Sequence, residues 1–277
     1  MSAAALNYKA MSNAELFALA QQRLGKRNDW QVSCELHRRG GREIFRQSAL
    51  WCRSPVRLER ELGAFILGQL GWRKDHFRQQ SIKLLTHMLD DSEPRVIASA
   101  AYALGHRSAS EAISKLVSLA GHRHAEVRQG VVSGLSGQTS DAAINALIQL
   151  SQDRAKEVRN WATFGLGDLI DTDNEEIRAA LVRRLTDPYL DVRFEALKGL
   201  ANRKHPQALE WTLDALRHEK ELCAGHLYAA ETLADTRLRP DLLRIQAECL
   251  KDQTDPDSYF MHCLEGAISA CSDNNPS

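Results

Sequence analysis

The sequence predicts an all-α fold, a right-handed α-α superhelix (a solenoid) of about eight two-helix repeats. Three observations predict it. The stretch Glu157 to Gly167 places Val158, Ala162 and Leu166 at i, i+4 and i+8, one face of a helix, with Gly167 at its end. The same pattern recurs in Val96-Ala100-Leu104, Val127-Val131-Leu135, Val192-Ala196-Leu200 and Leu62-Ile66-Leu70. It is weaker in Gly225-Ala229-Leu233 and Phe260-Leu264-Ile268, and Val32-Leu36-Gly40 begins the series. The last apolar residues fall at 70, 104, 135, 166, 200, 233 and 268, spacings of 31 to 35 that suit stacked helix pairs. Finally, no alternation of apolar and polar residues persists long enough to suggest a strand.

Each element has a local cause. The first ten residues carry no pattern, and residues 1–11 are expected to be a disordered tail. Ser12-Asn13-Ala14-Glu15 is a capping box, in which serine and glutamate satisfy amides at a helix start. That helix runs to about Leu24, turns through Gly25 to Asn28, and is followed by a helix from Trp30 to Arg39 that Gly40-Gly41 ends. A third helix, about Arg42 to Cys52, stops before Ser54-Pro55, and Pro55 fits the first turn of the helix carrying Leu62, Ile66 and Leu70. Asp75 to Leu89 and Ser108 to Leu119 read as outer helices around Val96–Leu104, and Asp141 to Leu150 as the outer partner of Val127–Leu135. Asp171 to Glu176 supply carboxylates where a helix N-terminus favours negative charge. Asp187-Pro188, His205-Pro206, Arg239-Pro240 and Asp255-Pro256 mark the remaining turns. Residues 272–277 are polar and expected to be disordered, so 1–277 is expected to form a single solenoid of about sixteen helices.

Composition narrows the class. Hydrophobic residues make up 43% of the 277, enough for a continuous core, and no apolar run reaches the ~18 residues of a membrane span. The start lacks a basic region followed by a long apolar run, so no secretory signal is expected. Six cysteines form no C-x-x-C pair, which favours reduced thiols and a cytoplasmic setting. The net charge of zero hides an asymmetry: residues 1–150 hold 20 Lys/Arg against 13 Asp/Glu, and residues 151–277 hold 16 against 23. Such a split is either a solvated accident or a polarised surface that steers a charged partner.

No phosphate loop, no H-E-x-x-H and no G-x-S-x-G is present. His106, His122 and His124 lack further ligands at metal spacing, and Asp168, Asp171 and Asp173 are explained by helix ends and caps. No catalytic residue, metal, cofactor or small-molecule substrate is therefore expected. Arg128, Arg159 and Arg193 follow the repeat valines and have Glu126, Glu157 and Asp191 two residues before them, which suggests a ladder of exposed ion pairs between stacked repeats.

The other face of the second helices carries the binding expectation. With Val158, Ala162 and Leu166 in the core, positions three, six and ten after the valine face the concave side. These are Trp161, Phe164 and Asp168 centrally, and Glu195, Lys198 and Asn202 in the next unit. Tyr102 and His106, Phe65 at one end, and Tyr228, Glu231 and Asp235 at the other complete the set. Aromatic residues among charges suit a protein-binding surface. Packing of Trp161 and Phe164 between adjacent repeats is the alternative.

The Val-Arg dipeptides that open the second helices resemble short bacterial HEAT repeats. Three longer stretches (Glu61 to Leu70; Glu157 to Phe164 with Asp173 to Arg178; Asp191 to Leu200) resemble HEAT-repeat proteins encoded beside Rhs-type polymorphic toxin elements. The similarity covers about residues 30–235. It implies an immunity protein that binds a cognate toxin domain, as a monomer forming a heterodimer with the toxin. The acidic C-terminal half would then oppose a basic toxin surface. Two other classes remain: a scaffold for protein complexes, and an enzyme of the bilin-lyase or DNA-glycosylase kind. A glycosylase needs a basic concave face for phosphates; the expected groove is mixed and turns acidic, so nucleic acid is not the expected partner.

Overall fold

A computed structural model describes residues 7–25, 30–71, 77–218, 222–251 and 258–272. Among them are sixteen α-helices, three short 3-10 turns and no strand. The chain forms two compact units, 1–146 and 147–277. The division falls within helix α9 (Asp141–Leu150).

The first unit contains α1 (Asn13–Gln22), α2 (Trp30–Arg39), α3 (Arg42–Trp51), α4 (Arg57–Gln69), α5 (Arg78–Met88), α6 (Pro94–His106), α7 (Ile113–Ser118) and α8 (Ala125–Leu135). Helices α2, α4, α6 and α8 pack neighbour to neighbour as an inner layer, and α1, α3, α5 and α7 each cover a partner. The second unit repeats the plan. Helices α10 (Lys156–Gly167), α12 (Leu190–Asn202), α14 (Ala224–Leu233) and α16 (Tyr259–Ala270) form the inner layer, and α11 (Glu175–Arg184), α13 (Pro206–His218) and α15 (Arg239–Lys251) the outer one.

The repeat residues form the core. Val96, Ala100, Leu104, Val158, Ala162, Leu166, Val192, Ala196 and Leu200 are all buried, each large side chain contributing ~1.5–3 kcal/mol by leaving water. Small residues let inner helices approach closely. A Cβ on Gly199 would lie 2.6 Å from Gly167 Cα, and one on Gly68 would lie 2.9 Å from Ala103 Cα. The last core of the second unit gathers Leu227, Leu238, Leu242, Leu264 and Cys271.

Several local expectations change. Ser12 and Glu15 form the capping box as read. Tyr8–Ala10, in the patternless start, make a 3-10 turn held by Arg39, whose Nη2 donates to Tyr8 O at 2.8 Å. Pro55 lies before the N-cap Val56, so it stands outside the helix rather than in its first turn. Pro94 does occupy the first turn of α6. The segment 108–119 is a 3-10 turn (Ser110–Ala112) followed by the six-residue α7, not one helix. The expected tails at 1–6 and 273–277, most of the turn at 25–28, the start of the helix expected from Asp75, and the turn at Asp255-Pro256 lie outside the described residues.

Arg159 pairs with Asp187 and not with Glu157, two residues before it, and none of the three arginines after the repeat valines is exposed. Arg128 and Arg159 are buried. All three donate to the carbonyl six residues back (Arg128 to His122, Arg159 to Asp153 and Arg193 to Asp187), and Arg60, in the first turn of α4, does the same to Ser54, at 2.7–3.1 Å. Arg60 and Arg159 also reach the following turn. Arg60 holds Asp91, and Arg159 holds Asp187, each through two nitrogens at 2.8 and 3.0 Å. A second pair of arginines, not anticipated in the sequence, closes helix C-termini. Arg107 donates to Leu67 O and Leu70 O at 2.6–2.9 Å, and Arg203 to Leu166 O, Gly167 O, Ile170 O and Thr172 O at 2.8–3.0 Å. These carbonyls have no intrahelical donor, and a cation there is favoured by the helix dipole.

Candidate functional site

The inner layer of the second unit brings most of the anticipated residues onto one surface. Trp161, Glu195 and Tyr228 occupy equivalent positions on α10, α12 and α14, as do Phe164, Lys198 and Glu231; of the third set Asn202 ends α12, whereas Asp168 lies just past α10 and Asp235 just past α14, where it caps the next 3-10 turn. The contacts run across neighbouring helices. Lys198 Nζ lies 2.9 Å from Asp168 Oδ1 and 5.9 Å from the centre of the Tyr228 ring. Asn202 Nδ2 donates to Gly167 O at 3.3 Å and to Asp168 Oδ1 at 3.4 Å. The Tyr228 hydroxyl hydrogen-bonds that of Tyr259 on α16.

Trp161 is 50% exposed and meets Phe164 edge to face, with ring centres 5.7 Å apart. It is therefore not consumed as packing between repeats, and Phe164 beneath it is half-buried. The Tyr228 hydroxyl holds its proton above the usual tyrosine range, chiefly through the Tyr259 hydroxyl and then Cys263. Asp235 pairs with Arg237 at 2.7 Å, which keeps its carboxyl below the usual range. Glu195 is half-buried. Burial pushes its carboxyl up, Lys198 opposes this, and Asp168 and Asp191 add to it.

The three residues anticipated in the first unit form a separate group. Phe65 on α4 is 38% exposed and lies against His37 of α2, ring centres 4.7 Å apart. Tyr102 is half-buried, His106 is exposed, and burial raises the Tyr102 hydroxyl. His37 itself is buried, and its Nε2 has no hydrogen-bond partner among the described residues. Burial, with the charges of His106 and Arg107, lowers its pKa to about 4, opposed by the ring's hydrogen bond to the Phe65 backbone carbonyl.

Two exposed aromatic residues escaped the sequence reading. Tyr259 is 64% exposed and extends the surface onto α16. It lies one residue before the weak repeat residue Phe260, outside the three positions used, although its offset of 31 from Tyr228 matches the shorter repeat spacing. Tyr189, in the turn before α12, is 44% exposed, with Lys156 Nζ 4.9 Å from its ring centre. Turn residues fall outside a helical periodicity altogether.

Asp173 pairs with Arg178 at 2.6 Å, Asn174 caps α11, and Asp168 is the C-cap of α10. Among the described residues no group of three His, Cys, Asp or Glu is placed to hold a metal ion. No described helix is long and apolar enough to cross a membrane.

Paired helices with inner-layer arginines in the turns define a class of helical repeat protein, and the comparisons give the family. The model for HEAT repeats matches residues 82–167 and 144–230. Protein YibA of Escherichia coli is 31% identical over 214 residues, 75% of either chain. The chain belongs to the HEAT-repeat family. The crystal structure of Escherichia coli YibA superposes with a TM-score of 0.68 at 27% identity, covering 98% of each chain. The CpcE–CpcF complex of a Nostoc phycocyanin lyase gives 0.50 at 17% identity over 98% of this chain and 97% of that one, a likeness of fold alone.

Proposed function

We propose that this chain is a non-enzymatic binding protein, an immunity protein that captures and neutralises one cognate toxin domain, of the Rhs-type or contact-dependent kind, in a one-to-one complex. The observation that carries the reading is the half-exposed Trp161 braced on Phe164, with the Lys198–Tyr228–Tyr259 run on the following helices of the same inner layer. Rigid aromatic anchors on a regular helical scaffold supply binding energy at small entropic cost. The resemblance of residues 30–235 to proteins encoded beside toxin elements supplies the toxin as partner. All six cysteines are free thiols, and burial pushes Cys52 up to about 12 and Cys271 up to about 11. Protonated, unreactive thiols such as those of Cys52 and Cys271 suit a reducing cytoplasm.

The test is affinity purification of the tagged full chain from its native cells. One dominant polypeptide in equimolar amount is expected. Expressed alone, that polypeptide should arrest growth, and co-expression of this chain should restore it. Recovery of nucleic acid, of many unrelated proteins, or of a harmless partner would overturn the reading and favour DNA repair or scaffolding.

A further inference from the structure

We infer that the inner surface of the second unit receives an extended, cationic segment of its partner polypeptide; this rests on the protein-binding reading and names the chemistry it selects. Two carboxylates carry the inference. Glu195 and Glu231 make no hydrogen bond or ion pair with any described residue, whereas Asp168 is held by Lys198 and Asp235 by Arg237. Both unpaired groups lie on the helix rows that carry the aromatic residues: Glu195 occupies on α12 the position of Trp161 on α10 and of Tyr228 on α14, and Glu231 follows Tyr228 by three residues on α14. Glu195 is half-buried with Asp168 and Asp191 near it, and Lys198, the cation that acts on it among the described residues, is committed to Asp168. The surroundings agree, since residues 147–277 hold 16 Lys/Arg against 23 Asp/Glu.

A guanidinium or ammonium group satisfies both features at once. It pairs with a carboxylate and rests on an aromatic face, an arrangement that an anionic ligand cannot use. The four inner helices set the length. Neighbouring helices lie ~8–10 Å apart, so three steps span roughly 25–30 Å, or about eight or nine extended residues at ~3.3 Å each. A nucleic-acid backbone is repelled by the same two carboxylates.

The experiment is fluorescence polarisation of the full chain with two labelled decapeptides, one alternating Arg and Ser, the other Glu and Ser, at low and high salt. The Arg peptide is expected to bind and the Glu peptide not. The double variant Glu195→Gln/Glu231→Gln should weaken binding roughly tenfold or more. The control Glu175→Gln/Glu176→Gln, on outer helix α11, removes the same charge and should change it less than about twofold. Equal binding of both peptides, or equal weakening by the two double variants, overturns the proposal. The protein-binding reading fails separately. If the protein captured from cells binds the Glu195/Glu231 variant as tightly as the native chain, partner binding stands and the cationic segment does not.

Discussion

Arg159 and Asp187 lie 28 residues apart in sequence and meet as a buried two-point pair, at 2.8 and 3.0 Å. The arginine sits in the first turn of α10 and the aspartate in the turn that leads to α12. Arg184 Nη1 adds a third donor to Asp187 at 3.2 Å, and the Tyr189 amide a fourth at 3.1 Å. Removing one partner strands a buried charge. Asp187→Ala should cost about 3 kcal/mol or more in urea unfolding, and Arg159→Met/Asp187→Leu together less than either single change.

The pair also predicts an acid limb. Burial pushes the Asp187 carboxyl up, but the hydrogen bonds of Arg159 and Tyr189 and the charges of Arg159 and Arg184 bring it below the usual range. A carboxyl lowered in the folded state contributes stability that is present above its unfolded pKa, about 3.9, and is lost as pH falls through the folded value. Stability measured from pH 5 downward should therefore fall less steeply in Asp187→Asn than in the native chain.

His37 titrates in a different window. Its folded pKa is about 4 because the ring is buried, while an unfolded histidine titrates near 6.5. Between these values the unfolded chain takes up the proton and the folded chain does not. Stability is thus full above about pH 6.5 and declines towards pH 4, by roughly 3 kcal/mol. His37→Phe should remove that part of the slope in urea titrations at pH 7.5, 6, 5 and 4.

Arg203 predicts a loss without any change of charge. Lysine keeps the cation but cannot reach Leu166 O, Gly167 O, Ile170 O and Thr172 O together. Arg203→Lys should cost roughly 2–4 kcal/mol, whereas Arg237→Lys, at an exposed pair with Asp235, should leave the urea midpoint unchanged.

The Gly167–Gly199 approach predicts a steric effect. A methyl group at 199 meets Gly167 Cα at 2.6 Å, so α10 and α12 must separate. Gly199→Ala should lower stability by about 1–3 kcal/mol. Gly121, whose Cβ would meet nothing within 4 Å, should tolerate alanine.

The fold was largely legible in the sequence because its cause is periodic: Val158-Ala162-Leu166 and its clear copies at 96–104, 127–135 and 192–200 are buried throughout, whereas in the weak copies Leu233, Phe260 and Ile268 are only half-buried and Leu227, Ala230, Met261 and Ala267 fill the core instead. The same phase put Trp161, Lys198 and Tyr228 off the core, and Trp161 is exposed and the other two half-buried. What escaped depends on contacts across repeats. Arg203 reaches back 31–37 residues to its carbonyls and Arg159 forward 28 to Asp187, distances at which no helical spacing identifies a partner. The acids beside Arg128, Arg159 and Arg193 looked like the natural mates because they are close in sequence, yet the turns supply the acceptors. Pro55 and the short α7 show the same limit, since the ends of helices follow turn geometry more than periodicity.

Trp161 gives the most direct test of the central claim, that the inner surface of the second unit is where a protein partner docks. Calorimetric titration of the captured partner into the native chain and into Trp161→Ala would measure it, with urea unfolding of both in parallel. A half-exposed anchor predicts a loss of about 2 kcal/mol or more in binding, roughly thirtyfold, with stability changed by less than about 1 kcal/mol. Unchanged affinity with an intact fold would contradict the account and move the interface elsewhere on the chain.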